Sequence, residues 1–90
     1  MSKFVASSVL WTKVWTTKPD ANETVAKGIL KSVITADVQA GKLEYSLDEI
    51  IAMLEFAYGR AGSTTPTKKA KLTWANFAKP GKQGWFVEVA

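Results

Sequence analysis

The sequence predicts one α+β domain in which two helices pack on a small antiparallel sheet. Apolar residues recur every three or four positions over 21–40 and again over 46–58, which is helical spacing. β-Branched and aromatic residues crowd 3–17 and the C-terminal third, which is strand composition. The 90 residues are 47% hydrophobic and 22% charged, a balance that suits one folded unit spanning 1–90 rather than a disordered chain.

The elements come in order. Over 3–17, Val5, Val9, Trp11, Thr12, Val14, Trp15, Thr16 and Thr17 favour a strand, and Pro19-Asp20 ends it. The first helix runs from Ala21 to Ala40. Val25, Ile29, Val33, Ala36 and Ala40 form its inward stripe, widened by Ala26 and Leu30, with Lys27 and Lys31 elsewhere on the circumference. Gly41 stands where a left-handed cap belongs. Ser46-Leu47-Asp48-Glu49 is a capping box that opens the second helix, with Tyr45 and Ile50 at the staple positions. Ile50, Met53, Leu54 and Ala57 are its buried stripe, and Gly59 marks its end.

Residues 60–67 are a polar loop punctuated by Gly62 and Pro66. Two readings compete for the C-terminal segment. Lys69-Ala70-Lys71-Leu72-Thr73-Trp74 alternates polar and apolar like a strand, and Lys79-Pro80-Gly81-Lys82 is a type II turn into Trp85-Phe86-Val87-Glu88-Val89, which makes a C-terminal hairpin. Alternatively 66–78 is a helix, with Pro66 at its first position and Ala70, Trp74 and Phe77 inward. The hairpin reading gives the order strand–helix–helix–strand–strand. It places Val25, Ile29, Val33, Ile50, Met53, Leu54, Leu72 and Val87 in the core.

Composition removes most catalytic chemistry. The chain has no Cys and no His, so thiolate nucleophiles, disulfides, imidazole-ligated zinc and Ser-His triads are all absent. No phosphate-loop motif begins at Gly59 or Gly62. Glu44, Asp48 and Glu49 gather at a helix start, where acids cap and complement the dipole more often than they hold a cation. The expectation is a non-enzyme without cofactor or metal. No apolar run is long enough to span a membrane, and the N-terminal stretch, interrupted by Ser7, Ser8 and Lys13, lacks a signal-peptide pattern. That points to a cytoplasmic protein without a membrane partner.

The charge is segregated. Residues 1–19 carry +3, residues 20–58 carry −4, and residues 59–90 carry +5, for a net charge of +4. All four tryptophans (Trp11, Trp15, Trp74, Trp85) lie in the basic segments. Rings beside lysines suit single-stranded nucleic acid, because bases stack on flat rings while ammonium groups track the phosphates. On this reading Trp11, Lys13 and Trp15 are a central platform, flanked by Lys68, Lys69 and Lys71 from the neighbouring strand or loop. Tryptophan is equally a core filler, and lysine pairs guard strand edges. With Arg60 the single arginine, base-edge recognition of a specific sequence is poorly equipped.

The topology alone, without a residue motif, resembles two DNA-binding layouts. A strand followed by two helices resembles a dimeric ribbon-helix-helix repressor, though with tryptophans where polar strand residues belong. Two helices before a hairpin resemble a winged helix. The other class of function is binding to a single protein partner, as small inhibitors and adaptors of phages and mobile elements do. Exposed Trp11 and Trp15, or the acidic face around Glu44, Asp48, Glu49 and Glu55, would then make the contact. An exposed first strand would also pair edge to edge with a second copy and form a homodimer.

Overall fold

The computed structural model describes residues 2–8, 10 and 21–89. Strand β1 is Phe4–Ala6, helix α1 is Ala21–Gln39, α2 is Leu47–Arg60 and α3 is Pro66–Thr73. α3 runs on into a π-helical turn, Trp74–Ala78, before strand β2, Phe86–Glu88. The α+β class therefore holds: among the described residues, helices α1 to α3 pack against an antiparallel pair of strands.

The helix signals act where they stand in the sequence. Ser46 accepts from the Glu49 amide at 3.2 Å, while the Glu49 carboxylate accepts from the Ser46 amide at 3.1 Å, so the capping box is closed on both sides. Gly41, at φ +90°, ends α1 in a Schellman arrangement: Lys42 N–H donates to Asp37 O and Gly41 N–H to Val38 O. The second helix does not stop at Gly59. It continues to Arg60, and Gly62, at φ +94°, takes the left-handed position, with Ser63 N–H donating to Tyr58 O. A glycine inside a helix weakens it without ending it, so the end falls where positive φ is needed.

The region 66–78 settles as helix, and the hairpin reading is overturned. Pro66 starts α3 with its φ already helical, and Ala70, Thr73 and Ala78 are buried, with Trp74 and Phe77 packed against the core. Leu72, an expected core residue, is 48% exposed. The six-residue alternation is too short to separate period 2 from period 3.6, and the helix also buries Thr73 against a partner: its hydroxyl meets that of Tyr58 at 2.6 Å. The type II turn at Pro80-Gly81 does form, with Gly81 at φ +89° and Lys82 N–H donating to Lys79 O. It joins the π turn to β2 rather than two strands of a hairpin.

β2 pairs instead with β1, from the other end of the sequence, in the register Phe4↔Glu88, Val5↔Val87 and Ala6↔Phe86. On its opposite edge Phe4 exchanges two 2.8 Å backbone hydrogen bonds with Tyr45. The strand expected over 3–17 is seen at Phe4–Ala6, and its part from 11 to 17 lies outside the described residues. After Ala6 the Ser7 amide donates to Trp85 O and its hydroxyl to Gly84 O, and the backbone at Ser8 and Leu10 is already helical.

The core joins both layers: Phe4, Leu10, Leu30, Ile34, Tyr45, Ile50, Leu54, Tyr58, Trp85 and Phe86 are its largest members. On α1 the buried row is Ala26, Leu30 and Ile34. The expected row is one position off: Val25 is 49% exposed, Ala36 and Ala40 are exposed, and Ile29 and Val33 sit half-buried at its margin. Both rows are apolar, and the fold turns the one bearing Leu30 and Ile34 inward, where Ala26 and Leu30 meet Leu54, Tyr58 and Trp85. Ile50 and Leu54 are buried as expected, Met53 is half-buried, and Val87 lies on the outer face of the sheet.

Candidate nucleic-acid interface

Among the expected site residues, the structure brings together Lys68 and Lys71. Both are exposed and three positions apart on α3, about 4.5 Å along its axis, so they stand on one helical face opposite buried Ala70 and Thr73. Lys69 points about a quarter-turn or more away and is half-buried. The sequence pattern puts these three lysines on a strand or loop beside the first strand; they are on a helix that packs on α2. Trp11, Lys13 and Trp15 lie outside the described residues.

The lysines of this surface have few local anions. No Asp or Glu occurs between Glu55 and Glu88. Among the described residues, Lys68, Lys71, Lys79 and Lys82 form no ion pair, whereas Lys42 pairs with Glu49 at 2.6 Å. Lys68 stands in the first turn of α3, where the helix dipole is positive, so backbone and side chains add to one positive field. Glu55, the nearest acid before this stretch, accepts a 3.2 Å hydrogen bond from the Thr67 hydroxyl on α3.

The two described tryptophans belong to the core. Trp85 is 1% exposed and lies nearly parallel to Phe77, with ring centres 6.4 Å apart. Trp74 meets Phe4 edge to face at 5.3 Å and Phe86 at 6.4 Å. Trp85 has no exposed face to offer a base, and Trp74 is half-buried against the core. Lys27, which the sequence sets off the inward stripe of α1, is buried, with its ammonium 5.5 Å from the Trp85 ring centre. Burial, reinforced by Lys31 one turn on, lowers its pKa. Ala26, Lys27 and Leu30 close on Leu54, Tyr58 and Trp85 without leaving room for a water molecule. The sequence carries one signal for this: Lys27 directly follows the buried row of α1, where a long aliphatic stem covers apolar surface.

Asp37 and Glu49 hold the helices together. The Lys42 hydrogen bond first, then the Ser46 amide, keeps the Glu49 carboxyl down to about 2. Tyr45, buried, donates to Asp37 Oδ2 at 2.9 Å, and burial together with that carboxylate raises its pKa. Lys42 lies 5.1 Å from the Tyr45 ring centre, so one cluster ties the end of α1, the sheet bridge and the start of α2. Among the described residues no three carboxylates converge as a cation site, and no helix is long and apolar enough to cross a membrane.

Comparison with known proteins finds no matching family model, no matching curated protein and no matching solved structure.

Proposed function

We propose that this chain is a non-enzymatic binding protein that holds nucleic acid by its phosphates without reading sequence, using the outward face of α3. The observation that supports this reading is the acid-free stretch between Glu55 and Glu88, which leaves Lys68 and Lys71 exposed, on one face and without ion pairs among the described residues. Lys79 and Lys82 extend the same positive charge toward the Pro80-Gly81 turn. The contact is electrostatic. Each lysine–phosphate contact releases counterions, so affinity falls steeply as salt rises.

The test is fluorescence anisotropy of labelled mixed-sequence oligonucleotides, single- and double-stranded, titrated at several salt concentrations. The label belongs on the nucleic acid, because core Trp74 and Trp85 are poor reporters of a surface contact. Wild type should bind both forms weakly and without sequence preference. Replacing Lys68 and Lys71 by Ala together should reduce the logarithmic salt slope by about 0.7 per lost contact on single strands and about 0.9 on duplex. A slope unchanged in a variant that melts like wild type would refute this use of α3.

A further inference from the structure

The outer face of the sheet carries a group of aliphatic side chains that the phosphate-binding reading does not use. Val5 and Val87 are cross-strand partners, and Val89 continues the same face two residues on. Val5 also lines a groove of about 260 Å³ with Val38 of α1 and Leu43. Val38, Leu43, Val87 and Val89 are 40–57% exposed. Aliphatic side chains gathered this way mark an interaction surface, whereas scattered ones need no explanation.

We infer that this face docks a second copy of the chain, forming a two-fold dimer with the outer sheet faces apposed. Charge selects the occupant. The chain carries +4 overall and +5 over residues 59–90, so two copies repel unless they meet through a face of mixed sign. This face is such a one. Lys3 and Glu44 share a surface groove beside Leu43, with Lys42, already paired with Glu49, at its edge. A two-fold axis that brings Lys3 of one copy toward Glu44 of the other makes the rim complementary to itself. A strongly acidic or strongly basic partner finds no matching field there. The inner sheet face packs Phe4 and Phe86 on Trp74, so the α3 unit lies on the side away from the dimer contact. The dimer therefore keeps both lysine faces open, although the dimer itself does not depend on nucleic-acid binding.

The dimer differs from the edge-to-edge pairing of the first strand that the sequence suggests. At Phe4 that strand has β2 on one edge and Tyr45 on the other, so its edges there are taken.

Sedimentation equilibrium of the full chain at physiological ionic strength, from micromolar to near-millimolar concentration, tests the inference. The mass should rise from one chain to two and stop, because a two-fold contact closes on itself. Leu43→Lys and Val87→Lys should each weaken the dimer by about tenfold or more while melting like wild type. Lys3→Glu and Glu44→Lys should each weaken it alone and restore it when combined. A single-chain mass throughout would overturn the inference and leave the face to an unrelated protein or an apolar ligand. Growth beyond two chains would overturn it too, as would a dimer that persists in folded Leu43→Lys.

Discussion

The hydroxyl pair between Tyr58 and Thr73 offers a direct test of how α3 is seated. Both residues are almost wholly buried and their oxygens are 2.6 Å apart, across the contact between α2 and α3. Tyr58→Phe removes one oxygen and leaves the Thr73 hydroxyl in an apolar site. Thr73→Val removes the other oxygen of the pair with little change in volume. Each single change should cost about 1–3 kcal/mol, the penalty of a buried polar group stripped of its partner. For a domain of this size, 1 kcal/mol moves the melting temperature by about 4–8 °C, so either variant is readily measured. The double variant removes both groups and should melt within about 1 kcal/mol of wild type, because neither hydroxyl is then left facing an apolar replacement of the other. The assay is thermal and urea unfolding monitored by far-ultraviolet circular dichroism, with all four proteins compared at equal urea slope. Additive losses in the double variant would refute the reasoning, since they would mean that the two hydroxyls do not face each other. Leu72→Lys serves as the companion. On the half-exposed side of α3 it should change stability by no more than about 0.5 kcal/mol, whereas a strand with Leu72 inward would lose a core side chain.

Trp85→Ala should destabilise the domain by about 3–5 kcal/mol, because the ring is buried beside Phe77 and Lys27, and calorimetry or a urea melt reads the loss. Gly81→Ala meets no atom within 4 Å but must hold φ +89°; a urea melt should show a loss of about 1–2 kcal/mol, from strain rather than collision. The folded Glu49 carboxyl is depressed from 4.5 to about 2, so the stability it contributes is present above the unfolded value and is lost as pH falls from about 4.5 through 2. Glu49→Gln should flatten that part of the stability–pH curve, and an unchanged acid limb would exclude the Lys42–Glu49 contact as its source. Dialysis against a chelator should leave the melting temperature unchanged, and a clear fall would reveal a structural ion.

Local chemistry is readable in this sequence wherever the determining partners are neighbours. Ser46 and Glu49 cap α2 across three residues, Gly41 closes α1 within its last turn, and Pro80-Gly81 turns the chain within four residues. Each is decided by backbone hydrogen bonds and φ preferences that no distant contact needs to supply. The absence of Cys and His, and the long stretch without acids, are equally plain and bound the chemistry before any fold is known. Other questions turn on contacts between segments far apart in the chain. Lys69–Trp74 fits a strand or a helix by pattern alone, and burial of Thr73 against Tyr58 is what decides for the helix. α1 offers two apolar rows, and the choice of Leu30 and Ile34 over Val25 belongs to the surface formed by α2 and Trp85. The partner of β2 is β1, some eighty residues away, and Lys27 is drawn in only because Trp85 lies over it. A residue's periodicity states which faces it can bury; only the packed layers, by removing one of those faces from water, determine which face it does bury.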